Sequence, residues 1–287
     1  MKLYIKDFLI FLVIYNIGFA ISALLAANMT TSIVMQLLYL DIIFTIIIFI
    51  MSLIFKNSSL YDPYWSVVPP MLMAYALMLM DALTPLNIVV LIGIFIWALR
   101  LTYNWMVMWD GFKHQDWRYT MLKEKTGSFY PAVNFLGIHL FPTIIVFAQM
   151  AVFLEMVSLN GSLNLISILG VIITISAVVI QYLSDEQMRA FKRNPGDKRI
   201  IDVGLWQYSR HPNYFGEVMV WWGLYVAYFG VAFKVDWYIL APISMTLMFL
   251  FISIPMMEEK ILKTRSEYKV YQSETSKLIP WFKKKSQ

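Results

Sequence analysis

The chain has 287 residues, of which 60% are hydrophobic and only 14% charged, and its mean hydropathy is +0.64. A soluble domain carries about 25% charged residues, so this composition excludes an ordinary water-soluble globule; the net charge of +5, with no soluble nucleic-acid-binding domain to use it, points to anionic lipid rather than nucleic acid. There is no cysteine, which excludes disulfides, thiolate nucleophiles and Cys-ligated metals.

Apolar runs follow one another from the N-terminus. A membrane span takes roughly 20 apolar residues rising about 1.5 Å each, and candidates lie at about 8–27, 32–55, 67–83, 86–106, 135–158, 163–183, 214–232 and 237–257. The first lacks a small-residue cleavage site before a polar mature chain, so it reads as a retained helix and not a signal peptide. The third is short. Backbone groups in lipid must pair internally, and unbroken apolar runs lack the alternation of a membrane barrel. The expected fold is all-α: one polytopic transmembrane helical bundle spanning 1–287, with about eight crossings, or seven if one run is re-entrant.

Charge sorts the loops. Apart from Arg100 inside a span and Lys234, every Lys and Arg falls at the N-terminus, in 56–66, 107–134 or 184–213, or in the tail from 258. Eight crossings place all of these, and both termini, on one side, which the positive-inside rule makes cytoplasmic. The long loops are on that side, so the chemistry is expected there. The tail is expected to begin as a helix and to stop near Pro280.

Polar residues gather at the same rim. Asp62 and Trp65 open the third run; Arg100 and Asn104 are four apart near the end of the fourth; Asp116, Arg118 and Tyr119 form a dense patch in 107–134; Gln181, Asp185 and Arg189 recur every four residues where the sixth run ends. Each alone reads as a snorkelling or capping residue. Asp41, Asp81 and Glu155 are weaker candidates, and Met71, Met73, Met78 and Met80 read as span filler or as an adaptable apolar lining.

The densest cluster is "GLWQYSRHPNYFGEVMVWWG", 204–223. Pro212 suits the first turn of a helix. Arg210 and His211 then stand at a helix N-terminus, which favours anions. Asn213 and Glu217 share a helical face, and an acid one turn into a span is a site hypothesis by default. Gly216, Gly223 and Gly230, seven apart, allow close approach of a neighbouring helix. Two readings follow: an interfacial anchor, or a phosphate-binding collar above a pocket, which the shared face of Asn213 and Glu217 favours. There is no G-x-G-x-x-G after a strand, no P-loop and no H-E-x-x-H, and His114, His139 and His211 are too scattered to suggest zinc. A nucleotide would have to bind among the helices.

"GLWQYSRHPNYFGE", with "SDEQMRAFK" upstream and "RSEYKVYQSETSKLIPWF" downstream, resembles the steroid 5-alpha-reductase-like membrane family, in its bacterial branch. "DPYWSVVP", "WALRLTYNW" and "DWRY" are similar to the same branch, so the resemblance covers about 60–282. It implies a bacterial inner-membrane enzyme that holds NADPH among cytoplasmic helix ends and transfers hydride to the conjugated double bond of a lipophilic enone entering from the bilayer. By that carry-over Arg210, His211, Asn213 and Tyr214 contact the cofactor, and Asp185, Glu217, Arg100 and Asn104 orient its ribose and amide. Arg189 or Arg265 meets its phosphates, and Asp116, Arg118, Trp206 and Tyr268 complete the cofactor-binding set. The Gln-Glu pair that grips the steroid ketone in the eukaryotic enzymes is not evident; Asp62 and Tyr64 are its positional candidates.

Charge builds on the carbonyl oxygen as hydride adds, and a buried acid or phenol donating to it stabilises the transition state. A carboxyl would need burial to raise its pKa for that task; Tyr64, Tyr103 and Tyr119 would not. Asp62, Tyr64 and Tyr119 are therefore the catalytic candidates. The superfamily also contains isoprenylcysteine and phospholipid N-methyltransferases, which pair an RHP-x-Y with a later Glu-Glu. Glu258 and Glu259 keep an S-adenosylmethionine-dependent reading open. A transporter would place its polar groups near the midplane and not at one rim.

Overall fold

The computed structural model describes residues 5–29, 32–113, 115–194 and 200–284; Lys2, His114, Lys198, Arg199 and Lys285 of the sequence reading lie outside them. Among the described residues the regular structure is entirely helical. Seven helical segments among the described residues are long and apolar enough to cross a membrane. The protein is an integral membrane protein of the polytopic helical class. It forms two compact units, Met1–Asn160 and Gly161–Gln287.

In the first unit, α1 (Ile5–Ala26) and α2 (Ile33–Ile54) are antiparallel neighbours. A 3-10 turn, Ser58–Tyr61, leads into α3 (Tyr64–Leu79), and α4 (Pro85–Met108) follows. At 16 residues α3 is the one expected span too short for the seven. Pro69 and Pro70 lie inside it, and each removes a backbone donor from the helical ladder. α5 (Trp117–Thr126) and α6 (Tyr130–Val133) precede a π-helical stretch, Asn134–Leu140, which runs into α7 (Phe141–Ser158). Much of what reads as the 107–134 loop is thus helix. Asp116 caps α5 by accepting from the Arg118 amide at 2.9 Å, which satisfies one of the donors left open at a helix start.

In the second unit, α8 (Leu165–Arg193) packs along α9 (Pro212–Ala232). The 29 residues of α8 would extend about 44 Å, beyond a hydrocarbon core of about 30 Å. Its last turns, with Asp185, Glu186, Arg189, Lys192 and Arg193, therefore continue as helix into the expected 184–213 loop. Pro212 is the first residue of α9, as its missing N–H predicts. The glycine reading also holds. A Cβ on Gly216 would stand 2.5 Å from Gln181 Cγ, on Gly223 2.3 Å from Thr174 Oγ1, and on Gly230 2.6 Å from the Ser167 amide nitrogen. Gly170 of α8 answers them, with a Cβ position 2.3 Å from the Ala227 nitrogen. The two backbones meet where only hydrogen fits. α10 (Leu240–Met248), a π-helical turn and α11 (Ile254–Thr264) form the last spanning segment, and α12 (Tyr268–Glu274) follows after a break at Arg265. The tail's helix ends at Glu274, before Pro280.

Candidate functional site

Each unit has its own buried polar cluster. In the first, Asp41 of α2 is 2% exposed. Tyr64, the first residue of α3, donates its hydroxyl to Asp41 Oδ1 at 2.6 Å and lies 2.9 Å from the Asp41 carbonyl. Thr45, one turn along α2, donates to the Tyr64 oxygen at 3.1 Å. Thr45 Oγ1 is 2.8 Å from Thr143 Oγ1 of α7, which is in turn 2.8 Å from the Tyr61 hydroxyl. A chain of hydroxyls thus runs Tyr61, Thr143, Thr45, Tyr64 and ends on a carboxyl. Burial pushes the Tyr61 phenol well above its ordinary value, a shift that its bond to Thr143 only partly offsets, so Tyr61 keeps its proton.

Asp41, Tyr61, Tyr64 and Thr143 form the polar part of a narrow crevice otherwise lined by Trp65, Val68, Pro69, Leu72, Val146 and Met150, with a cavity volume of about 10 Å³, room for about one water molecule. The polar groups are few and convergent and the walls are apolar, as in sites for lipophilic ligands. Beside it, His139 is fully buried in the π-helical stretch. Its Nδ1 is 2.9 Å from the Asn134 carbonyl and so carries the proton, and its Nε2 has no partner among the described residues. Its ring is 4.8 Å from that of Tyr61.

Asp62 and the "DWRY" patch also come together. Tyr119 donates its hydroxyl to Asp62 Oδ1. The Asp116 amide donates to Ser59 Oγ at 2.9 Å, and Arg118 Nε donates to Asp116 Oδ1 at 2.7 Å. Burial raises Asp62 to about 6, against the opposing pull of the Arg118 guanidinium and the Tyr119 hydroxyl. The Arg118 side chain is 44% exposed. Arg100 and Asn104 lie part-buried on α4.

The cluster of the second unit is built on Glu258 of α11, 7% exposed. Its Oε1 accepts from Arg210 Nε at 2.7 Å, from His211 Nε2 at 3.1 Å and from the Tyr268 hydroxyl at 3.2 Å, while Oε2 accepts from Gln272 Nε2 at 2.8 Å. Arg210 Nη1 donates to the Gln272 and Thr275 carbonyls at 2.8 and 2.6 Å. Arg210, which the sequence reads as a cofactor contact at an anion-favouring helix start, therefore faces a carboxylate and two carbonyls in the interior. Burial lowers His211 below its ordinary value and keeps the imidazole neutral, with Glu258 pulling the other way. Tyr214 stacks on His211 at 5.4 Å with the rings 8° from parallel. Glu217, buried in α9, accepts from Gln181 Nε2 of α8 at 2.6 Å. Trp206 donates from Nε1 to the Ser184 carbonyl at 3.0 Å. Asn213 is part-buried on the first turn of α9, Asp185 is part-buried on α8, Arg189 pairs with Glu186, and Arg265 is exposed at the end of α11.

The structure thus joins Arg210, His211, Tyr214 and Tyr268 around one acid, pairs Asp62 with Tyr119, and gives Tyr64 a separate partner in Asp41. Sequence reasoning missed the hydroxyl chain and the centrality of Glu258 and Gln272. The signal for Asp41 was available: a lone acid in the middle of a span demands a partner. Thr45 and Thr143 gave none, because single threonines are common in spans.

A polytopic helical membrane protein with buried, hydrogen-bonded ionisable clusters is the class these features define. Residues 48–275 match a family described as "Protein of unknown function (DUF1295)", and the chain belongs to that family. No curated protein and no solved structure matches it.

Proposed function

We propose that this protein is an NADPH-dependent membrane reductase that transfers hydride to the conjugated carbon–carbon double bond of a lipophilic enone of steroid-like or isoprenoid-like type. The observation that carries the reading is the Asp41–Tyr64 pair set into an otherwise apolar crevice. The apolar walls suit a lipophilic ketone, which would have to part them to enter, and the Tyr64 phenol would donate to its oxygen. With the proton on Asp41, the carboxyl donates to the Tyr64 oxygen and the phenol proton turns to the carbonyl, where charge develops as hydride arrives at the β-carbon. The enolate oxygen takes that proton, and the Asp41 proton passes to Tyr64. Thr45, Thr143 and Tyr61 continue the chain along which a proton can be replaced. NADPH would supply the hydride, and polar residues at helix ends would hold it. The 107–134 and 184–213 loops and the tail are assigned to the cytoplasmic side by their Lys and Arg content; the N-terminus joins them only where the short α3 crosses as well.

A second reading has its own support. The Arg210–His211–Glu258 junction joins the RHP segment to the first Glu of the Glu258–Glu259 pair, the combination associated with S-adenosylmethionine-dependent methyltransferases of the isoprenylcysteine and phospholipid type. Ligand titration of the purified protein separates the two. Thermal stabilisation by NADPH, greater than by NADH and absent with S-adenosylmethionine, is the expected result; stabilisation by S-adenosylmethionine alone overturns it.

A further inference from the structure

After α11 the chain forms α12 and then runs extended to Lys284, as a strap fixed to the start of α9. The Arg210 amide donates to the Ser276 carbonyl at 2.9 Å, Ser209 Oγ to the Leu278 carbonyl at 2.7 Å, and the Trp281 amide to the Tyr208 carbonyl at 2.9 Å. Tyr271 donates its hydroxyl to the Trp206 carbonyl, and the Lys284 amide, bonding the Glu274 carbonyl at 2.9 Å, folds the strap's end back onto α12. Leu278 and Tyr271 are buried beneath it. The strap continues directly from the end of one spanning segment and crosses the beginning of another, so it lies where hydrocarbon gives way to headgroups.

Its outer face is the reverse of its inner one. Ile279, Trp281 and Phe282 are 66%, 69% and 73% exposed. The backbone bonds on either side of them hold the strap in register, so the rings cannot turn inward. Lys269 on α12 and Lys277, Lys283 and Lys284 on the strap are exposed, with Glu267 and Glu274 as the acids of this stretch. Lys283 also reaches toward Asp202, at 3.8 Å.

We propose that the outer face of this strap is a docking surface for anionic phospholipid, with Ile279, Trp281 and Phe282 in the interface and Lys277, Lys283 and Lys284 on the phosphates. Amphipathic rings partition to the headgroup level, and each lysine near an anionic surface contributes roughly a five-fold preference for it. Neither contribution alone selects the ligand: the rings would suit any apolar partner, and the lysines any acid. Together, at the ends of two spans, they fit a surface that is apolar beneath and anionic on top. The same strap presents the Gln272 and Thr275 carbonyls to Arg210, so lipid holding its outer face also steadies the Glu258 junction behind it. This inference does not depend on the reductase reading.

The absence of cysteine makes the test clean. Ile279→Cys in the full chain, labelled with bimane and reconstituted into nanodiscs of mixed phosphatidylcholine and phosphatidylglycerol, is quenched by nitroxide-bearing lipid of one headgroup or the other at equal mole fraction. Quenching by labelled phosphatidylglycerol should exceed that by labelled phosphatidylcholine several-fold. The excess should vanish in K277Q/K283Q/K284Q and in the parent at 0.5 M NaCl, where the Debye length falls to about 4 Å. The salt arm keeps the test open should the triple variant fail to fold. Equal quenching by both lipids in the parent overturns the headgroup preference. Quenching by neither places the strap in water or under a protein, and overturns the proposal outright.

Discussion

Glu258→Gln keeps the size and shape of the side chain and removes its charge. Arg210, 7% exposed, keeps its own charge and loses its counter-ion. His211 cannot compensate, since it is held neutral. The geometry makes matters worse. Oε1 faces Arg210, His211 and Tyr268 as donors and Oε2 faces Gln272, so whichever way the amide turns, its NH2 meets at least one donor. Breaking a buried ion pair from one side costs about 3–5 kcal/mol, and that is the expected loss in equilibrium denaturation of the protein in detergent micelles, followed by far-ultraviolet circular dichroism. R210M should cost a similar amount. R210M/E258M should cost clearly less than the two singles together, since both charges leave at once. It should still fall short of the parent by about 1–3 kcal/mol, because the Gln272 and Thr275 carbonyls lose their donor. A loss under about 1 kcal/mol for E258Q, or singles that simply add, would refute the view that this acid and base hold each other in the interior.

Four further outcomes are expected. Gly223→Ala places a methyl 2.3 Å from Thr174 Oγ1 and 2.7 Å from the Gly170 carbonyl, and forcing α8 and α9 apart should cost about 1–3 kcal/mol or more. Gly137→Ala, whose Cβ would find nothing nearer than 4.0 Å, should be neutral or slightly stabilising in the same denaturation assay. Asp62, raised to about 6 from 3.8, binds its proton more tightly in the folded state. Its contribution to stability is therefore complete below about pH 4 and is lost as pH rises through 6; Asp62→Asn should flatten that part of a melting-temperature profile. Tyr64→Phe should leave cofactor affinity within about two-fold and lower enone turnover by about 100-fold or more, read by NADPH absorbance; loss of binding instead would move Tyr64 to the cofactor.

What the sequence conveys well is whatever one segment decides alone. Pro212 suits the start of a helix and the seven-residue glycine spacing of α9 suits the approach of another backbone, and both hold. What it conveys poorly is set by partners far along the chain. Arg210 looks like an anion site because it precedes a helix N-terminus, yet Glu258, 48 residues on, takes the guanidinium inward. Tyr64 is legible as a phenol at a span end, but its partner Asp41 lies on another helix, and the threonines between Tyr64 and Tyr61 carry no local mark. α5 was hidden for another reason: its charged residues mark it as exposed, and exposure reads as loop unless the cap and the Gly127 stop are weighed together.

The position of Arg210 bears directly on how a dinucleotide would be held. A phosphate ligand must present donors to the anion, but three of the Arg210 nitrogens already donate to Glu258 and to two carbonyls. On the proposed NADPH reading, either the cofactor would displace Glu258, or Arg210 would brace the loop that presents Asn213 and Tyr214 and never touch phosphate. The two arrangements predict opposite responses. Were Arg210 a phosphate ligand restrained by Glu258, E258Q would release it, and the affinity for NADPH would rise while R210M abolished it. As a brace, both variants loosen the same loop, so both should weaken binding, by similar factors and without adding in the double variant. Arg210→Lys should fail to rescue, because an ammonium can replace a point charge on a phosphate but not a planar fork that bonds a carboxylate and two carbonyls at once. The buried geometry favours the brace, and tighter NADPH binding by E258Q, measured by calorimetry in micelles, would show that assignment to be mistaken.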